Sequence, residues 1–192
     1  MAIIPEDKDW TWALEKRCDE CGFDAPAIEY ERVPELTRAA AARLAAALDR
    51  PDVTVRPNDS TWSPLEYVAH TRDVSRLFRH RLHVALTCTA ADPAPDVVGH
   101  DPTVTVLDGL PAFTNWDQDA TAVAARYNES APASVAAQLV AAADDVAADF
   151  AAVPEADRSR AARRDNGSLF TVTEMARYFL HDLVHHVHDI RA

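Results

Sequence analysis

Glycine is scarce in this chain, with four residues in 192, whereas alanine is abundant. Because alanine is the strongest helix former and glycine is among the weakest, this imbalance favours a helical protein. Long apolar runs are also lacking, since no stretch approaches the roughly 20 residues that a membrane span requires. The opening residues MAIIPEDKDW lack the basic segment and apolar core of a signal peptide. We therefore expect a helical protein without a membrane anchor.

Positive charge is in deficit, and the formal net charge is -12. Such an acidic chain lacks the electrostatic footprint of a nucleic-acid binder and is poorly suited to anionic membrane surfaces. Cysteine is sparse as well, and three cysteines cannot all pair within one chain. Reduced thiols are typical of the cytosol, so we expect a cytoplasmic protein with neither nucleic acid nor membrane as a partner.

Four long segments have the apolar periodicity of helices. Ser63 with Glu66, and Thr171 with Glu174, have the spacing of capping boxes at the starts of the second and the last of these helices. No stretch shows a convincing strand alternation. The predicted fold is therefore all-α, a four-helix bundle. Its helices are expected at residues 26–50, 63–87, 132–153 and 171–192, with Pro34 as the alternative start of the first one.

Two of the segments outside the regular helices stand out. Residues 1–26 are predicted to form an irregular arm that packs on a bundle formed by residues 27–192. A loop at 89–118, containing four prolines, joins the second helix to the third. Loops of this length in a compact domain are usually functional or disordered. We expect this loop, which ends near Trp116 and Asp117, to line or cover the functional site.

Histidines are concentrated in the last helix. His181 and His185 are four residues apart and so lie on one helical face, where they can bind one metal ion. Asp182 and His186 form a competing pair with the same spacing. A third ligand is expected from a facing helix, and His70, mid-helix among apolar residues, is the best donor. The alternative is that these histidines simply pack in the core.

Cys18 and Cys21 in the arm have the spacing of half a zinc knuckle or of a redox pair. A second cysteine pair is missing, although Cys88 closes the second helix. A plain structural turn, a disulfide and a metal or thiol role all remain open for these two residues.

Several motifs together resemble the DinB/YfiT-like superfamily in its actinobacterial form, over nearly the whole chain. They are the segment Trp62–His70 followed by Asp73, the tripeptide Asn166–Ser168 leading into Thr171, the run His181–His188, and Trp10–Trp12 with Cys18–Asp24.

This resemblance implies a four-helix bundle in up-down-down-up order. It also implies one divalent metal ion, zinc or nickel, bound by His70, His181 and His185. Asp73, one turn from His70, is the candidate catalytic residue, placed to orient His70 or to bind polar groups of a thiol. A solvated helix carboxylate is the alternative for this residue. Three imidazoles leave one coordination position open, which is the catalytic pattern for zinc.

The function that the resemblance implies is metal-dependent S-transfer or isomerisation, with mycothiol or a similar low-molecular-weight thiol acting on a small electrophile. The alternative is a non-catalytic, stress-associated metal-binding bundle. A helical interaction protein is a third hypothesis. The sequence names neither the electrophile nor the native metal, and it leaves the oligomeric state open, with a homodimer as one candidate.

Overall fold

A computed structural model describes residues 9–192, so the first eight residues of the predicted arm lie outside the described part. The helices are α1 (Val33–Ala47), α2 (Pro64–Thr87), α3 (Gln118–Ala124), α4 (Pro132–Ala152) and α5 (Val172–Asp189). Helices α1 and α2 each pack against both α4 and α5 but have few contacts with each other. They therefore lie diagonally across a four-helix bundle, and the short helix α3 stands outside it.

Both predicted capping boxes are present. The Glu66 amide donates to Ser63 Oγ at 3.4 Å, and the Ser63 amide donates to Glu66 Oε2 at 2.9 Å. At the start of α5, the Glu174 amide donates to Thr171 Oγ1 at 3.2 Å, and the Thr171 amide donates to Glu174 Oε2 at 2.8 Å. These bonds satisfy backbone donors that the first helical turn leaves without partners, and so they fix where α2 and α5 begin.

Helix α1 begins later than predicted, at Val33 rather than near residue 26. The residues before it form two short 3₁₀ turns, Ala25–Ala27 and Tyr30–Arg32. Pro34 occupies the first turn of α1, where its missing amide hydrogen would have no helical partner in any case. Proline therefore marks the true helix start.

The all-α prediction is wrong in one respect, because the chain also forms a small four-stranded sheet. Its strands are β1 (Val104–Leu107), β2 (Leu110–Phe113), β3 (Ala161–Arg164) and β4 (Leu169–Thr171). They lie in the order β1-β2-β3-β4, with antiparallel, parallel and antiparallel pairings in turn. Strands of three or four residues are too short to show alternation in the sequence. The sheet joins the loop after α2 to the segment before α5.

The apolar core lies between the four bundle helices. Its largest fully buried side chains include Leu44, Leu65, Leu77, Leu139, Phe150 and Phe179. Two of the residues predicted as ligands, His70 and His181, are buried at its edge with 1% and 3% exposure. None of the helices described between residues 9 and 192 is long and apolar enough to cross a bilayer.

Candidate metal centre

Helix α5 carries two pairs of potential ligands, because residues four positions apart lie one above the other on a helix. His181 and His185 form one pair. Asp182 and His186 form the other, rotated by about 100° around the helix axis. The structure places the two pairs in different clusters.

The first cluster, here the His-Asp-His cluster, consists of His70 on α2 with Asp182 and His186 on α5. One donor atom of each residue lies within 4.8 Å of the other two. Asp182 Oδ1 lies 3.7 Å from Nε2 of His70 and 3.7 Å from Nε2 of His186. Two ligands of a tetrahedral zinc ion, each bonded at roughly 2.1 Å, would be about 3.4 Å apart. The two distances to the Asp182 carboxylate are therefore close to those between metal ligands, and they are too long for direct hydrogen bonds.

Aromatic rings and one carboxylate hold the two imidazoles of this cluster in place. The His70 ring stacks on Trp116, with ring centroids 5.5 Å apart, and contacts Trp62 at 5.1 Å. His186 Nδ1 donates a hydrogen bond to Asp189 Oδ2 at 2.8 Å. A carboxylate in this position fixes the tautomer of a histidine and directs its other nitrogen towards a metal.

A cavity of about 250 Å³ is lined by Asp182 and His186 of the His-Asp-His cluster and also by His181 and His185. The loop at 89–118 was expected to line the site, and this is confirmed at its end, where Trp116 stacks on His70 and Gln118 reaches the cavity. The arm contributes to the same wall. The cavity wall includes Trp10, Glu20, Gln118, Asp119, Asp182 and His186.

Burial and neighbouring charges set the ionisation of the cluster. Burial alone would raise the pKa of Asp182, but His186 and His70 lower that pKa to about 2. The carboxylate is therefore charged at neutral pH, although its Oδ1 is buried and accepts no hydrogen bond from any described residue. A buried charged oxygen without a donor is costly, and a bound cation would remove that cost. The residues of the cluster thus fit a divalent metal ion.

The second cluster, here the Cys-Cys-His-His cluster, brings Cys18 and Cys21 of the arm beside His181 and His185 of α5. Cys18 Sγ lies 3.7 Å from His185 Nδ1, and all three cysteines of the chain are free thiols. Burial, helped by the neighbouring His185, lowers the pKa of His181 to about 4. The His181 imidazole is therefore neutral at pH 7.

The predicted ligand set of His70, His181 and His185 is thus divided between the two clusters. The reason is the course of the arm, which covers the face of α5 that carries His181 and His185. Helix α2 approaches the neighbouring face, where Asp182 and His186 point. Sequence spacing identified both pairs on α5, but it gave no indication of which face α2 would meet.

Asp73, the predicted catalytic residue, does not line the cavity. Its buried carboxylate accepts hydrogen bonds from Arg72 at 2.8 Å, from Arg76 at 3.1 Å and from the Tyr127 hydroxyl at 2.6 Å. These three donors occupy both oxygens of the carboxylate. The structure therefore gives Asp73 a structural role, anchoring the segment after α3 to α2.

Comparison with known proteins confirms the resemblance seen in the sequence. The profile of the DinB superfamily matches residues 34–190. The solved structure of YfiT from Bacillus subtilis, described as "a probable metal-dependent hydrolase with an unusual four-helix bundle topology", superposes with a TM-score of 0.63. The match has 16% sequence identity and covers 84% of this chain and 86% of YfiT, so it shows the shared fold. No curated protein sequence matches the chain significantly. The chain belongs to the DinB superfamily.

Proposed function

We propose that this protein is a metal-dependent enzyme that activates a low-molecular-weight thiol, of the mycothiol type, for attack on a small electrophile. Its divalent ion would be bound by His70, Asp182 and His186. The observation that carries the proposal is the convergence of three donor atoms, two of which belong to residues that line a cavity, Asp182 and His186. Two imidazoles and one carboxylate suit zinc or nickel. Three protein ligands leave one position open for a substrate, as in catalytic zinc sites.

A divalent cation at this site would supply Lewis acidity, lowering the pKa of a thiol that reaches it. The charge of Asp182 offsets one unit of the cation's charge, so this ligand set differs from three neutral imidazoles. Asp189 orients His186 through its 2.8 Å hydrogen bond, and the Trp116 ring stacks on His70. These contacts hold the ligands in place while a substrate enters, which is the main requirement for a precise site.

The size and lining of the cavity limit what can enter. Its volume, about 250 Å³, is below the roughly 300–1,000 Å³ of pockets that enclose drug-sized ligands. We therefore expect the thiol group and the reacting end of the electrophile to enter, while the rest of the thiol cosubstrate stays at the rim. The carboxylates of Glu20 and Asp119 in the wall disfavour an anionic electrophile.

Hydrolysis is the second candidate function, with water in place of the thiol. It is favoured by Glu20, whose carboxylate lies in the cavity wall and could act as a general base towards water. The description of YfiT as a hydrolase points in the same direction. A bundle that binds metal without catalysis is the remaining alternative.

The test is a rate comparison between metal-loaded wild type and Asp182→Asn, which keeps the side-chain size but removes the charge. Mycothiol, glutathione and cysteine are each offered with a neutral epoxide, and simple esters are offered with water alone. Loss of a ligand should exceed the roughly 10–100-fold effect of losing a residue that only orients one. We expect Asp182→Asn to lose thiol transfer by roughly 100-fold or more, and the exposed control His188→Ala to keep it.

Ester hydrolysis without thiol transfer, sensitive to the same substitution, would favour the second candidate instead. A thiol reaction equally fast in Asp182→Asn would place the chemistry elsewhere. Metal binding with no reaction in any combination would leave the non-catalytic bundle.

A further inference from the structure

The Cys-Cys-His-His cluster has the composition of a structural zinc site. Its four donor atoms, two thiols and two imidazole nitrogens, lie within 4.8 Å of one another. A zinc ion with Zn–S near 2.3 Å and Zn–N near 2.05 Å would place a sulfur and a nitrogen ligand about 3.6 Å apart. The observed distance from Cys18 Sγ to His185 Nδ1 is 3.7 Å. The spacing therefore matches two ligands of one ion.

The local backbone of the arm brings the two thiols together. The Gly22 amide donates to the Cys18 carbonyl at 2.9 Å, and the Cys18 amide donates to the Phe23 carbonyl at 2.8 Å. Gly22 has a φ of 76°, a conformation that glycine adopts without strain. This closed turn holds Cys18 and Cys21 on the same side, as the two-residue spacing of a zinc-binding pair requires.

The two histidines complete the set from a rigid helix. His181 and His185 are one turn apart on α5, and His181 Nε2 is buried without a hydrogen-bond partner among the described residues. Leaving such a nitrogen without a partner is unfavourable. On the far side of His185, Glu20 Oε2 and Asp189 Oδ1 each lie 3.6 Å from Nε2. Carboxylates at this position are typical around metal-bound histidine.

The cluster is largely covered, although His181 and His185 also line the cavity of about 250 Å³. Cys18 is fully buried, and His185 is 7% exposed. Trp10 covers His185 with ring centroids 4.7 Å apart, and Phe23 covers His181 at 5.6 Å. Four protein ligands complete the coordination of a tetrahedral zinc ion and leave no position for a substrate, which distinguishes structural from catalytic zinc.

We infer that Cys18, Cys21, His181 and His185 bind a structural zinc ion, separate from the ion proposed for the His-Asp-His cluster. Soft thiolate ligands with imidazole select zinc over harder divalent cations. Two thiolates balance the charge of the ion, so the buried site is neutral overall. The ion fastens the arm to α5, and it thereby holds Trp10 and Glu20 in the cavity wall.

A redox cysteine pair is the competing interpretation. It explains the spacing of Cys18 and Cys21, but not the two imidazole nitrogens that converge on the same point from α5. A redox pair also needs access for its partner, whereas Cys18 has no exposed surface. The ligand geometry therefore favours a metal.

The experiment is metal analysis of the full-length protein, purified with zinc and a reductant, by elemental mass spectrometry. We expect two ions per chain in the wild type and one in Cys21→Ser, which removes a partly buried thiolate with little change in volume. Cys88→Ser removes the exposed cysteine outside both clusters and should keep two. Asp182→Asn should lose the other ion, so failure of this inference and failure of the proposed function are distinguishable.

Cobalt substitution gives a spectroscopic readout of thiolate ligands that can already be measured in the wild type. Cobalt bound by thiolates shows sulfur-to-metal charge-transfer absorption in the near ultraviolet, which we expect from wild type, Cys88→Ser and Asp182→Asn. Absence of this absorption from the cobalt-loaded wild type would overturn the inference. So would a Cys18–Cys21 disulfide in the protein as purified, seen as the loss of two hydrogens in the intact mass. An ion count unchanged by Cys21→Ser would also overturn it.

Discussion

His185 and His186 are adjacent in the chain, yet their imidazoles belong to different clusters. The carboxylate of Asp189 touches both of them. Its Oδ2 accepts a hydrogen bond from His186 Nδ1 at 2.8 Å, and its Oδ1 lies 3.6 Å from His185 Nε2. One residue thus orients a candidate ligand in each cluster, so a change in either site can reach the other through a single side chain.

Asp73 and Tyr127 give a prediction about a single buried hydrogen bond. Tyr127→Phe removes the 2.6 Å bond from the tyrosine hydroxyl to the Asp73 carboxylate. Because both groups are buried, we expect the free energy of unfolding to fall by about 1–3 kcal/mol. Metal content should not change. Urea denaturation measures the first quantity, and elemental analysis measures the second.

Asp73→Asn separates the structural role from the catalytic role first assigned to this residue. It weakens the bonds to Arg72 and Arg76, so it should destabilise the protein while leaving both clusters intact. A loss of metal as large as that in Asp182→Asn, without loss of stability, would restore Asp73 to the site.

At the scale of elements, the start of α5 matters because this helix carries candidate ligands of both clusters. Thr171→Ala removes the side chain that accepts a hydrogen bond from the Glu174 amide. Loss of such a cap typically costs about 1 kcal/mol, so thermal or urea unfolding should show a decrease of that size. Thr171→Ser is the matched control, since it retains the hydroxyl group. Equal losses in both variants would mean that the threonine methyl group, rather than the cap, stabilises this end.

The elements that could be predicted are those whose pattern is local. The capping boxes at Ser63 and Thr171 fixed two helix starts to the residue, because each depends on side chains three positions apart. The sheet was missed because its strands are short and its central pairing joins segments about 50 residues apart in sequence. One indication was readable. Asp108 and Gly109 both have positive φ between β1 and β2, as expected for an Asp-Gly hairpin turn.

In the whole molecule, contacts between residues close in sequence could again be predicted, whereas contacts between residues far apart in sequence could not. This difference explains which parts of the two clusters were predicted. The two i,i+4 pairs on α5 followed from spacing alone. Their partners did not, because His70 and Cys18 reach α5 from elements that are far away in sequence. Only the packing of the arm and of α2 around α5 decides which pair each of them meets.

The last prediction concerns the pH dependence of overall stability. His80 on α2 is buried, with 1% exposure, and its Nε2 has no hydrogen-bond partner among the described residues. Burial, together with the nearby His100, Arg81 and His83, lowers its pKa to about 4. In the unfolded chain the pKa is near 6.5.

Between these two values the unfolded state binds a proton that the folded state does not. The free energy of unfolding should therefore fall as the pH drops below about 6.5 and level off below about 4, with no contribution above that window. At pH 5 the loss from His80 alone should be about 2 kcal/mol. Urea unfolding at pH 7 and pH 5 gives the decrease in the free energy of unfolding for the wild type and for His80→Gln. The difference between these two decreases is the contribution of His80.

Taking that difference removes the contributions of the other histidines, those of both clusters included, since they are common to the two proteins. His83→Gln changes a more exposed histidine on the same helix and should keep the wild-type loss. A His80→Gln variant that loses as much stability on acidification as the wild type would show that His80 does not carry this dependence. The acid sensitivity would then have to arise from other groups, such as His100, whose pKa burial also lowers, or the histidines of α5, where protonation competes with the proposed metal ions.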